Sequence, residues 1–181
     1  MTSMKKHPFL HVDFDSTVTL TPNTKRKLDL WFDYASEVLE STVKKGLLKK
    51  SKLKTIRVSL LVCGDLRMKK LNNEHRGKNK VTDVLSFPSF DGLRDSDLKN
   101  EIQAGELFLG DLAICHPQAV RQAREYNVGY FDEMIHLFFH GMIHLMGYDH
   151  EVSEAEEKLM EEWEQKALKK FSEVKKKRGA K

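Results

Sequence analysis

The chain has little of what a secreted or membrane protein relies on. Its 181 residues include only two cysteines, Cys63 and Cys115, both in apolar strand-like segments and far from any paired framework. A disulfide-stapled scaffold is thereby excluded, and the two thiols read as small buried residues of a reducing compartment. Nowhere do about 18 uncharged apolar residues run together, so no membrane-spanning helix is expected. After Lys5 and Lys6 the N-terminus meets Asp13 and Asp15 without the apolar stretch of a secretion signal. The expectation is a cytoplasmic protein. No internal repeat is found, which excludes a solenoid.

What is present suits one globular domain. Hydrophobic residues make up 40% and charged residues 32%, enough for a real core and a soluble surface. Residues 1–174 are read as one domain and residues 175–181 as a basic tail. The net charge is +4, but the basic residues are concentrated at Lys44, Lys45, Lys49, Lys50, Lys52 and Lys54 and again at Lys175, Lys176, Lys177, Arg178 and Lys181. Such runs permit a polyanionic partner and equally describe solvated faces or a frayed end.

Periodicity supplies the elements. Residues 9–14 alternate as a short strand, and Pro22 and Asn23 mark a turn and cap. Leu28, Trp31, Phe32, Ala35, Val38, Leu39 and Val43 then follow the three-and-four spacing of an amphipathic helix ending near Gly46. Ile56, Val58, Leu60 and Val62, with Leu61 and Cys63 apolar on the other face, predict a central strand. Asp65 is the expected cap of a second helix that runs to about Glu74. Strands follow over residues 81–87, closed by Pro88, and 105–115, separated by a polar surface loop over 89–104. Helices are expected over 118–126 and 130–146, and a last one starts from the capping box of Ser153 and Glu156. The fold class is α+β, an α/β sandwich of about four strands in one mixed sheet packed with about five helices.

The chemistry concentrates at residues 140–150. His140 and His144 are one helical turn apart, about 6 Å along the axis, and point the same way. Gly147 can take the left-handed conformation that ends a helix and returns His150 toward the pair. Three neutral imidazoles leave the fourth position of one tetrahedral Zn²⁺ per chain open for water, the pattern of a catalytic site. Nickel and copper suit the same ligands. His136 stacks one turn before His140, but it is about 12 Å along the helix from His144, so the two cannot share an ion. It is read as a residue that supports the ligands from behind or lines the pocket. The ligand spacing equals that of metzincin peptidases, yet those carry a glutamate general base where this chain has Gly141, which disfavours a peptidase. A third reading is a non-catalytic RNA-binding protein of the ribosome in which metal only staples the fold.

Three blocks together resemble the YbeY family of endoribonucleases. They are His140-Gly141-x-x-His144-Leu145-x-Gly147-Tyr148-Asp149-His150, Arg76-Gly77-Lys78-x-x-x-Thr82-Asp83-Val84-Leu85-Ser86-Phe87-Pro88, and Gly110-Asp111-Leu112-x-Ile114. They stand in the family's order and cover residues 76–150, while residues 1–50 and the C-terminal tail add little. His75, where an aromatic such as tyrosine is usual, and Val81, often proline, depart from the family pattern. The resemblance implies zinc on His140, His144 and His150 and a non-ligand role for Arg76. A planar guanidinium suits that role, because it can neutralise charge building on phosphoryl oxygens. Lys78, Lys80 and Ser86 are candidate contacts to neighbouring phosphates. The function implied is zinc-dependent cleavage of single-stranded RNA. It would act in maturation of the 3′ end of small-subunit ribosomal RNA and in ribosome quality control. The partners would be the ribosomal subunit and ribosome-associated proteins.

Overall fold

A computed structural model describes residues 9–47, 52–90, 101–149 and 152–179. The expected ligand His150, most of the expected loop over 89–104, and Lys49, Lys50 and Lys181 of the basic runs lie outside the described residues. Four strands and five α-helices follow one another: β1 (Leu10–Ser16), α1 (Pro22–Leu39), β2 (Thr55–Cys63), α2 (Asp65–Arg76), β3 (Val84–Pro88), β4 (Glu106–Cys115), α3 (His116–Glu125), α4 (Tyr130–Leu145) and α5 (Glu154–Lys177). The α+β class with one mixed sheet is as the pattern of apolar residues predicts. Local chemistry sets most ends. The Thr21 hydroxyl caps α1 by accepting from the Thr24 amide at 3.1 Å, and Pro22 stands where its missing N–H is not needed. Ser153 caps α5 in the same way through the Glu156 amide at 3.2 Å.

The helix that spacing ends near Gly46 reaches Leu47, with its last stretch, Glu40–Leu47, in π-helical geometry. The switch coincides with the Ser41 and Thr42 hydroxyls, which both donate to the Val38 carbonyl, at 2.8 and 2.9 Å. Asp65 is not the cap of α2. That position is Gly64, and the Asp65 carboxylate instead accepts from the Arg121 guanidinium at 2.7 and 3.0 Å and from the Cys115 thiol at 3.3 Å. Sequence spacing could not reveal a partner 56 residues away.

The sheet order is β1-β2-β4-β3. β1, β2 and β4 run parallel, while β3 pairs antiparallel with β4 and forms an edge. Side chains alternate across this sheet and feed two separate cores. Leu112 and Ile114 of β4 join Leu60 and Val62 of β2 under α1 and α4, with α5 closing that layer through Met160, Ala167 and Phe171. Their neighbours Ala113 and Cys115 face the other way and pack with Cys63, Leu85 and the α2 residues Met68 and Leu71. Helices α2 and α4 therefore cover opposite faces of the β3 edge. Both cysteines are buried and unbridged, and burial pushes the Cys63 thiol up to about 11 and Cys115 to about 12.

The basic end of the chain is not a solvated tail at Lys175 and Arg178. Helix α5 extends through Lys177, Lys175 reaches Asp132 at 3.2 Å, and Arg178 pairs with Asp33 and, at 2.9 Å, with Glu37. Those acids come from α4 and α1, so a reading of the run in isolation misses them.

Helix α1 is tied to the first strand by a buried hydroxyl. Ser36 is 1% exposed, and its Oγ accepts the Phe9 amide at 2.9 Å and the Leu10 amide at 3.1 Å. Ser36→Ala leaves two buried N–H groups without that acceptor, so a loss of about 1–3 kcal/mol is expected. Urea denaturation should show the midpoint falling with an unchanged slope.

Candidate functional site

Helix α4 is apolar on most of its circumference. Met134, Ile135, Leu137, Phe138, Phe139, Met142, Ile143 and Leu145 are buried, which leaves His136, His140 and His144 on the remaining stripe. The rings of His140 and His144 stand 4.8 Å apart between centroids, against 6.4 Å for His136 and His140. The closer pair is the one spacing selects as ligands. Gly147, at φ +90°, then ends the helix: its amide bonds to the His144 carbonyl at 2.9 Å and the Tyr148 amide to Ile143 at 3.3 Å. This is the glycine-terminated turn expected before His150.

Arg76 reaches the same place from the opposite face of the sheet. It is the last residue of α2, which Gly77 terminates at φ +66°. Two cavities meet at Arg76, Ser86 and His144. One, of about 430 Å³, is also lined by Pro88, Phe90, Tyr148 and Asp149. The other, of about 370 Å³, is lined further by Lys78, Lys80, Thr82, Asp83 and His140. Arg76, Lys78, Lys80, Ser86, His140 and His144 are thus gathered around one depression at the β3 edge. Ser86 is 8% exposed, and its hydroxyl donates to the Gly141 carbonyl at 3.3 Å, so it also ties β3 to α4. His75 rests edge-on against Phe87, 4.8 Å between centroids.

The loop that carries the lysines is held by residues that spacing did not single out. Asp83 Oδ1 accepts from the Val84 amide at 2.8 Å and the Thr82 hydroxyl at 3.1 Å, and Oδ2 accepts from the Gln122 amide at 2.8 Å. Burial opposes ionisation of Asp83, but these donors outweigh it and hold the carboxyl below its usual range. Asn72, 2% exposed, donates to the Lys80 carbonyl at 2.8 Å. The Thr-Asp pair of the Arg76 block is therefore a brace for the loop.

Behind the histidines stands a carboxylate from α5. Glu164 Oε1 lies 3.1 Å from His136 Nε2 and 3.2 Å from His140 Nδ1. Burial would raise this carboxyl, but the bonds from the two histidines bring it down to about 2. The signal for Glu164 was present in the sequence. It lies on the packed face of an amphipathic helix, four residues after buried Met160 and three before buried Ala167. A carboxylate there needs a partner.

These residues fit a metal in donor chemistry. Two neighbouring imidazoles face a shared cavity, and the one on Glu164 is backed by a carboxylate, as metal-ligating histidines commonly are. Among the described residues no three metal-binding side chains converge. The expected third ligand, His150, is not one of them.

Gly141 has a packing reason that its position in the motif does not reveal. A Cβ there would come 2.7 Å from Leu112 Cδ2, 3.3 Å from Ser86 Oγ and 3.3 Å from Val84 Cγ2. The residue after His140 thus lies against the sheet, where a side chain would collide with Leu112 before anything else.

The fold and site define an α+β protein with a histidine-bearing helix set against an edge strand and an arginine from the far side. The model of the family described as Endoribonuclease YbeY matches residues 21–172. The chain is 44% identical over 111 residues to the Endoribonuclease YbeY of Thermodesulfovibrio yellowstonii, covering 61% of this chain and 64% of that protein. Over 137 residues it is 34% identical to the Endoribonuclease YbeY of Finegoldia magna, covering 76% and 83%. It also resembles the solution structure of TM1509 from Thermotoga maritima, with a TM-score of 0.54 and 24% identity over 93% of each chain, a likeness of fold. The chain belongs to the YbeY endoribonuclease family.

Two substitutions separate the packing role of Gly141 from a chemical one. Gly141→Ala should cost up to about 2 kcal/mol, since about 1 kcal/mol gained in helix propensity only partly offsets about 1–3 kcal/mol of crowding against Leu112. Gly141→Glu forces a carboxylate against Leu112 and Val84 and should cost about 3 kcal/mol or more. Thermal melts of the two variants check this, and a well-folded Gly141→Glu protein contradicts it.

Proposed function

We propose that this chain is a zinc-dependent endoribonuclease that cuts single-stranded RNA, acting on the 3′ end of small-subunit ribosomal RNA and in ribosome quality control. The observation that carries the reading is the meeting of the Arg76 guanidinium with the His140 and His144 rings around one cavity that Lys78 and Lys80 also line. His140, His144 and His150 would hold the ion. When bound, zinc supplies a Lewis acid and lowers the pKa of a coordinated water to roughly 7.

The chain's own residues do the rest. Arg76 offers parallel N–H donors to two phosphoryl oxygens and stabilises the charge that develops on them. Lys78 and Lys80, on the loop braced by Asp83 and Asn72, attract the phosphates on either side. Their contribution is independent of sequence and falls as salt rises. Pro88 and Phe90 in the larger cavity give a neighbouring base an apolar surface to rest on. No carboxylate follows His140, so a peptidase mechanism lacks its proton acceptor. The ribosomal subunit and proteins associated with it are the proposed partners, in the cytoplasm.

The test is cleavage of single-stranded ribosomal RNA by wild type, Arg76→Ala and His140→Ala, with metal content measured on each. Arg76→Ala should keep its metal and fold while losing roughly 100- to 1,000-fold in rate, the scale of one lost transition-state donor. His140→Ala should lose metal and activity together. Equal cleavage by all three proteins rules the proposal out. Loss of fold in His140→Ala with no RNA cleavage by wild type favours a metal-stapled binding protein instead.

A further inference from the structure

Helix α5 belongs to none of the blocks around Arg76 and His140, yet it sets a carboxylate against two members of the histidine stripe. A single oxygen of Glu164 receives two imidazole nitrogens, His136 Nε2 at 3.1 Å and His140 Nδ1 at 3.2 Å. The Glu164 side chain is 19% exposed, and Met160, buried in the core, is its neighbour one turn away. An ionised carboxylate only accepts, so both nitrogens carry hydrogen. For neutral His140 this fixes the tautomer: hydrogen on Nδ1, lone pair on Nε2. His140 lines both the cavity of Arg76 and a smaller one bounded by Glu157, Glu161 and Glu164.

We propose that Glu164 is a positioning residue of the metal site, holding His140 in the tautomer and orientation in which Nε2 can bind the ion, while His136 holds Glu164. The second anchor matters because a glutamate has three rotatable bonds and would otherwise sample several orientations. His136 is itself flanked by a buried acid, Glu133 Oε1, 3.7 Å from its Nδ1. The carboxylates and imidazoles thus alternate from Glu133 through His136 and Glu164 to His140. His136 acts on the ion only through Glu164. This inference rests on the reading of His140 as a metal ligand.

A merely structural bridge between α4 and α5 predicts something different. Losing it would lower the stability of the metal-free protein and leave metal affinity unchanged. The experiment is Zn²⁺ affinity by competition with a chromogenic chelator, alongside thermal melts of the metal-free protein, for wild type, Glu164→Ala, Glu164→Gln and His136→Ala. Glu164→Ala should bind zinc about 10- to 100-fold more weakly, the usual effect of removing such a partner. Glu164→Gln keeps the size and one acceptor oxygen, so it should restore part of the loss. His136→Ala should weaken binding less than Glu164→Ala. Unchanged affinity in a folded Glu164→Ala protein overturns the proposal. Should that variant fail to fold, Glu164→Leu, which keeps much of the volume without an acceptor, decides, and an affinity equal to wild type is then fatal. A wild-type protein that binds no zinc removes the metal reading itself, a separate failure.

Discussion

The close approach of α4 to the sheet at Gly141 is the contact on which the site depends. Leu112, Val84 and Ser86 fill the space where a side chain would begin. Any residue larger than glycine must displace one of them or lift the helix. Lifting the helix would carry His140 and His144 away from Arg76, because the arginine is anchored on the other face of the same sheet. The hydroxyl of Ser86 on the Gly141 carbonyl closes the same junction with a polar bond. A helix packed this tightly cannot drift along its axis, since its ridges are locked between side chains of β3 and β4.

Asp83, which lines the cavity, accepts from three donors, and Glu164, in contact with His140, accepts from two histidines. Each of these carboxylates meets its donors within the protein. Arg76, Lys78 and Lys80 contribute positive charge to the cavity walls. Such an arrangement favours a phosphodiester over a neutral substrate.

Much of this was legible in the sequence, because period-two and period-3.6 patterns report burial directly. The strands at Ile56 to Val62 and the helix bearing His140 follow from such patterns, as does the glycine turn at Gly147. Spacing also puts His140 and His144 side by side, and their rings stand 4.8 Å apart, while His150 lies outside the described residues. What stayed hidden has a common cause. Asp65 with Arg121, Asp83 with Gln122, Arg178 with Glu37, and Glu164 with His140 are all contacts between distant parts of the chain. Local pattern shows that a charged residue sits on a packed face but not which element will meet it. Gly141 shows the same gap. Its absence of a carboxylate was visible, while the steric reason for it required the sheet.

The division of the sheet into two cores has a consequence for how the site comes into being. Arg76 is placed by the core of Met68, Leu71, Leu85 and Cys115, whereas the histidines are placed by the core beneath α4. Neither core contains the whole site, because the two lie on opposite faces of the sheet and are both fed by β2, β3 and β4. A chain that has completed one of them holds either an arginine or a histidine row, not both. The proposed centre therefore depends on both layers being packed at once.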